Sequence, residues 1–183
     1  MDIIRENPYT RMIVRHEVDA WLNGVPQVVT SHGHAKLFTQ LTGMSQAALK
    51  ENWDGGGRLT SCNSFVGLYS TRVLKGKIKR SLAMFDLERA VTRMGIPEAW
   101  ILQKNDFSAR PGYGDIVRWK RLHVGVSLGF EGGKWHTIEG GQGGPKAGFD
   151  QIVRKTTIYQ SADILGWVDL ATIYDWADYS VTK

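Results

Sequence analysis

Apolar residues recur along this 183-residue chain with two different periods, and the period changes near its middle. In the first half the spacing is helical. Residues 12–21 are weakly amphipathic, and residues 25–29 read as a turn followed by a short extended piece. Residues 35–52 read as one helix, or two short ones broken near Gly43 with Ser45 as a cap for the second. Phe65, Val66, Tyr69 and Val73 recur at spacings of one, three and four, which predicts a helix over residues 62–74 capped by Thr60 or Ser61. Leu82, Phe85, Leu87, Ala90, Val91 and Met94 predict another over residues 81–94, stopped by Gly95 and Pro97. Beyond this point short strands are predicted at residues 99–102, 116–119, 123–130, 135–139, 152–159 and 164–168. Val124, Val126 and Leu128 alternate with Gly125, Ser127 and Gly129, the period of a strand with one buried face, and residues 131–134 read as a hairpin turn. Helices followed by an antiparallel sheet give an α+β fold.

Composition sets the scale of this fold. A chain of 183 residues with 42% hydrophobic content supports one core, so a single domain over residues 1–183 is expected, with residues 1–60 as an N-terminal helical extension packed on it. There is no internal repeat or low-complexity tract. No apolar run approaches ~18 residues, which argues against membrane insertion. Charges occupy Met1-Asp2-Ile3-Ile4-Arg5-Glu6-Asn7-Pro8, where a signal peptide needs an apolar stretch, so synthesis as a soluble cytosolic chain is expected.

The net charge of +5 favours an acidic polymer as partner. Lys75, Lys77, Lys79 and Arg80 form the densest basic cluster and read as a solvated loop. Arg118, Lys120 and Arg121 form a second, which reads as the lining of a substrate groove or as an edge strand protected by charge. The first cluster contains no aromatic residue and the second only Trp119, too few for a nucleic-acid stacking platform.

The chain has one cysteine, which excludes an internal disulfide and any multi-cysteine zinc site. An isolated cysteine is more often a small buried hydrophobe than a nucleophile. Cys62, however, stands at the start of a predicted helix, where the positive end of the helix dipole favours a thiolate, and His123 opens a predicted strand from which an imidazole can take the thiol proton. The 131–134 turn folds a carboxylate, Glu139, back toward His123 to orient the ring. His136 is its rival. Alternation puts His136 and Ile138 on one face and Trp135, Thr137 and Glu139 on the other, so only one of the two faces His123. Glu139 also has a structural alternative, as a hairpin-end carboxylate bonded to the glycine amides of residues 140–144. Of seven tryptophans, most are expected in the core, and Trp53, beside Asp54 and Gly55-Gly56-Gly57, is the candidate wall of a substrate cleft. Candidate oxyanion donors are the backbone amide of Cys62 with Asn52, Asp54 or Asn63. The glycine-rich run at residues 140–144 lacks the lysine and hydroxyl of a phosphate loop and reads as a lip of the groove. His32 and His34 have no third ligand nearby, so no metal is expected.

The segments Arg110-Pro111-Gly112-Tyr113-Gly114-Asp115-Ile116-Val117, Leu122-His123-Val124-Gly125-Val126 and His136-Thr137-Ile138-Glu139-Gly140 resemble the PGDIV, HVGI and TIEGN progression of CHAP and NlpC-type cysteine peptidases, which cut amide bonds in bacterial peptidoglycan. The resemblance spans residues 61–170. Tyr113 and Gly114 interrupt the usual run, Gly141 stands where the family often has asparagine, and Ser61 precedes the cysteine in place of glutamine or aspartate. It implies a papain-like fold, catalytic Cys62, His123 and Glu139, and peptidoglycan as partner; Trp53, Asp54, Arg118, Arg121 and His136 are the candidate substrate-groove residues, and no cofactor is expected. Together with the charged N-terminus, it implies a monomeric antibacterial toxin. Such a toxin would be delivered by type VI secretion to act in the periplasm or wall of a target bacterium, and would be neutralised at home by an immunity protein. A phage-type endolysin is the nearest alternative. The same thiol and imidazole would also serve a deamidase, transglutaminase or protease acting on proteins, and a non-enzymatic alternative is a polyanion-binding module.

Overall fold

The computed structural model describes residues 8–45, 47–48, 61–75, 77–78, 82, 87–104, 107–143 and 150–181. Trp53 and Asp54, the donor candidate Asn52, the approach over residues 55–57 and the basic residues Lys79 and Arg80 lie outside them.

The chain is α+β. Five α-helices occur among the described residues: α1 (Pro8–Leu22), α2 (Ala35–Thr42), α3 (Ser61–Val73), α4 (Leu87–Arg93) and α5 (Leu170–Val181). The strands are β1 (Val28–Thr30), β2 (Trp100–Leu102), β3 (Ile116–Trp119), β4 (His123–Glu131), β5 (Lys134–Gln142), β6 (Gln151–Thr157) and β7 (Ile164–Val168). They form one antiparallel seven-stranded sheet in the order β1-β6-β5-β4-β3-β7-β2. Among the described residues no helix is long and apolar enough to cross a membrane.

Most predicted elements fold where the periodicity put them. In α1, Val14, Val18 and Leu22 repeat every fourth residue and are buried, and Pro8 starts the helix, where its missing N–H costs nothing. Helix α2 ends at Gly43, whose left-handed backbone (φ 71°) lets its N–H close on the Thr39 carbonyl. Gly132 and Gly133, both at positive φ, make the two-residue turn that pairs Glu131 with Lys134. The pattern reading leaves out α5, although Leu170, Ala171, Ile173, Tyr174 and Ala177 bury one stripe of it. Asp169 caps this helix by accepting the Thr172 N–H at 3.2 Å.

The N-terminal part is more than a helical extension. Val14, Val18, Leu22, Val29, Phe38 and Leu41 belong to the same buried cluster as Phe65, Tyr69, Val124 and Ile138, and β1 supplies an edge strand beside β6. Helix α1 is also tied in by charge. Arg11 meets Asp115 at 2.8 Å and Asp169 at 3.0 Å, while fully buried Asp115 accepts the N–H groups of Gly112 and Leu170 at 2.7 and 3.1 Å. A buried carboxylate needs such partners, because an uncompensated charge in the interior costs several kcal/mol, of order 3–5.

The helices cover one face of the sheet. The other face carries a second cluster of Val117, Trp135, Tyr159, Ile164 and Trp167, with Trp119 and Phe130 against it. Strand β3 lies between β4 and β7, so the reading of the Arg118 cluster as a charged edge strand is corrected: the edges of the sheet are β1 and β2.

Candidate functional site

The site forms where the N-terminus of α3 meets a bulge in β5. Between the pairs Glu139↔Val153 and Gln142↔Gln151, β5 has one residue more than β6. The extra residue is accommodated at Gly140-Gly141, with Gly141 at φ 70°. The bulge is also the seat of the helix. A Cβ on Gly140 would lie 2.6 Å from the Ser61 carbonyl oxygen, and one on Gly141 would lie 3.2 Å from the Cys62 Cβ. Ser61 Oγ accepts the Gly141 N–H at 2.6 Å, which fixes strand to helix. Glycine at these two positions therefore sets the distance at which Cys62 approaches the sheet.

Cys62 is buried at 3% exposure, and its thiol is hydrogen-bonded to the His123 imidazole. His123 opens β4 directly across from Trp119, whose ring lies 5.1 Å away and walls the imidazole on one side. His123 Nε2 lies 2.8 Å from Glu139 Oε2. Gly125 makes room for this pair, since a Cβ there would lie 2.9 Å from the Glu139 Cγ. With Nε2 engaged by Glu139, Nδ1 is the nitrogen left for the thiol. Thiol, ring and carboxylate thus stand in line in the described structure.

The electrostatics follow from burial and pairing. Burial alone would push the His123 pKa down, but the bonds to Cys62 and Glu139 outweigh it and raise the value from 6.5 to about 9. Glu139 moves the other way. Burial would raise its pKa, but His123 and then Lys155, whose Nζ lies 2.9 Å from Oε2, hold it below its ordinary value. Thr137 donates to the second carboxylate oxygen at 2.7 Å. The bulge turns Gln142 back toward this face, so its amide approaches both Glu139 Oε2 and His123 Nε2 at 3.4 Å.

Of the other expected site residues, Arg118 is buried. Its Nη1 donates to the carbonyls of Trp119, Arg121 and His123 at 2.5, 2.6 and 3.2 Å, so it braces the turn that delivers His123. Burial lowers its pKa, and the charge of Cys62 acts against that shift. Arg121 is exposed on the same turn. His136 lies apart from the Cys62 site: alternation along β5 turns it away from Glu139, and Thr156 is its hydrogen-bond partner at 2.9 Å. Asn63 is buried, and its Oδ1, an acceptor, has no hydrogen-bond partner among the described residues. His32 and His34 turn to Asp150 and to the Thr30 N–H, at 3.3 and 3.4 Å, and no cluster of three or more metal-ligating side chains occurs among the described residues.

Sequence reasoning missed Lys155, Thr137 and Gln142. Thr137 was legible as the residue two before Glu139 on the same face. Lys155 becomes a neighbour only through the register that sets it opposite Thr137, and Gln142 only through the bulge.

A buried thiol in contact with an imidazole that is itself charged and oriented by a carboxylate can exist as a thiolate–imidazolium pair. No protein-family model, curated protein or solved structure matches the chain. The chemistry of this chain is therefore argued from its own side chains.

Proposed function

We propose that this chain is a papain-like cysteine amidase that hydrolyses amide bonds in the stem or cross-link peptides of peptidoglycan. The observation that carries the reading is the contact of Cys62, at the start of α3, with His123, whose Nε2 is held by Glu139 at 2.8 Å. The peptidoglycan substrate rests on the motif resemblance and on the net charge of +5, which suits a polymer rich in free carboxylates.

In the proposed reaction the Cys62 thiolate attacks the amide carbonyl and forms a carbon–sulfur bond. The carbonyl electron pair moves to oxygen, which is held by amides at the N-terminus of α3. His123 gives its proton to the leaving amine as the carbon–nitrogen bond breaks, leaving a thioester. Water then attacks the thioester carbonyl as His123 takes its proton, and the carbon–sulfur bond breaks, releasing the acid product, which ionises to solvent, and restoring the Cys62 thiolate beside the His123 imidazolium. Glu139 stabilises the imidazolium throughout.

Digestion of purified sacculi, followed by mass spectrometry of the soluble muropeptides, tests this. Wild-type protein should release peptides cut at one amide bond, and Cys62→Ala should release none while keeping its far-ultraviolet circular dichroism. Lysis by the alanine variant would remove Cys62 from the chemistry. Intact sacculi with a thiol that still alkylates at mildly acidic pH would keep the nucleophile but move the substrate to proteins, the reading of a deamidase or protease.

A further inference from the structure

A cavity of about 480 Å³ opens on the sheet away from Cys62. Its lining includes Arg15 from α1, Tyr113, and His136 and Arg154 from β5 and β6, and it also takes in Thr137 and Lys155 of the same two strands. His136 and Arg154 stand opposite Thr156 and Ile138 in the register, so they share the face of Ile138, and Glu139 belongs to the other. Gly141 touches Cys62, and His136 lies five residues back along β5, about 15 Å from it at the rise of a strand. Among the described residues, neither Cys62 nor His123 lines the cavity, which meets the thiol site through Thr137 and Lys155, two residues that bond Glu139.

Its charge is arranged to receive an anion. The Arg154 guanidinium has no carboxylate partner among the described residues. Arg15 stacks over the Tyr113 ring at 5.0 Å and reaches Asp19, which also accepts from the Tyr113 hydroxyl, only at 3.8 Å, a solvated pair of small net strength. Glu131 is the acidic residue in the lining, and it sits at the hairpin turn, opposite Lys134. The space far exceeds that of a small inorganic ion, and Leu128 and Tyr113 offer it apolar surface. A ligand with a carbon skeleton as well as carboxylates fits these walls.

We propose that this cavity binds an acidic peptide segment, with carboxylates on Arg15 and Arg154 and its backbone along Tyr113, Leu128 and Gln27. Arginine forks match carboxylates in two-point geometry, which gives such a site its selectivity. The inference goes beyond the proposed amidase activity and does not depend on it, since neither the thiol nor the imidazole lines the cavity. In an acidic polymer, this second site would hold one strand while another is presented to the thiol.

Calorimetric titration of the full chain with capped triglutamate tests the proposal, with capped triglutamine and inorganic phosphate as the other probes. Triglutamate should bind, and triglutamine should bind at least about tenfold more weakly, because the charge-assisted bonds are gone. Arg154→Gln and Arg15→Gln should each weaken triglutamate by about tenfold while leaving Cys62 alkylation at the wild-type rate, and Cys62→Ala should bind like wild type. Both arginines are at least partly exposed, and if one variant fails to fold the other decides. The proposal is overturned if triglutamate does not bind, if both arginine variants bind as tightly as wild type, if triglutamine or phosphate matches triglutamate, or if Cys62→Ala abolishes binding. None of these results bears on sacculus digestion, so the two readings stand or fall separately.

Discussion

Lys155 Nζ lies 2.9 Å from Glu139 Oε2, the same oxygen that meets His123 Nε2 at 2.8 Å. One carboxylate oxygen thus serves two cations. Lys155 keeps Glu139 ionised despite its burial, but it also draws off part of the field that would otherwise stabilise the His123 imidazolium. Lys155→Met should therefore raise the Glu139 pKa and also raise that of His123, which then has the carboxylate to itself. Ring-proton NMR titration of His123 reads this directly. A downward shift would mean that Lys155 does not compete for the carboxylate.

Stability should follow pH with a sign set by the same pair. His123 has its pKa raised from 6.5 to about 9, so its contribution is fully present below about 6.5 and is lost as pH rises through 9. Glu139 is depressed below 4.5, so its contribution is present above that value and is lost as pH falls through the lower folded value. The gap in urea midpoint between wild type and His123→Gln should accordingly narrow between pH 6.5 and 9. A gap that widens over that interval would contradict the pairing of His123 with Glu139 and Cys62.

Glu139→Gln keeps an oxygen near His123 but removes the charge. The imidazolium should then lose its proton at lower pH, and the alkylation rate of Cys62 at mildly acidic pH should fall along with the population of thiolate. Turnover should drop on the order of 10²-fold, the usual share of an oriented acid–base group. Iodoacetamide kinetics across pH measures the first effect even without a substrate. Unchanged kinetics would leave Glu139 with a structural role.

Gly140→Ala places a Cβ 2.6 Å from the Ser61 carbonyl oxygen, a contact between two backbones with no flexible side chain to give way. Helix α3 must shift, at a cost of about 1–3 kcal/mol for an overpacked contact. Thiol reactivity should fall more than stability does, because displacement of Cys62 from His123 is the direct result. Wild-type alkylation in a folded Gly140→Ala protein would show that the bulge does not set the approach.

Arg118→Met removes a donor that spans three carbonyls of the β3–β4 turn. Charge-assisted bonds contribute about 1.5–3 kcal/mol each at most, and they share one nitrogen, so a loss of about 2–4 kcal/mol is expected. The His123 ring resonance should broaden as its turn loosens. A sharp, unshifted resonance would exclude the bracing role.

The amino-acid order carried much of this architecture, because burial on one face imposes a period on any helix or strand. Tyr69 and Val73 announced α3, the alternation from Val124 to Leu128 announced β4, and the paired glycines 132 and 133 announced the hairpin. Cys62, His123 and Glu139 were legible because a thiol at a helix start, an imidazole on a strand and a carboxylate beyond a tight turn are local placements. The same alternation set Glu139 and His136 on opposite faces, but it left open which face meets His123. Helix α5 is legible too, in the spacing of Leu170, Ile173, Tyr174 and Ala177, although the predicted elements stop with the strand at residues 164–168.

What the order could not contain is set by strand register and by the approach of backbones distant in sequence. Lys155 joins Glu139 because β6 pairs with β5 in one register and not in its neighbour, a choice made by the whole sheet. Arg118 reads as a surface cation until β7 is found beside β3, and burial then converts it to a brace. The bulge at Gly140-Gly141 gains its meaning when Ser61 and Cys62, eighty residues earlier in the chain, come to rest against it. Local periodicity fixes which way a side chain points, whereas only tertiary packing fixes what it meets there.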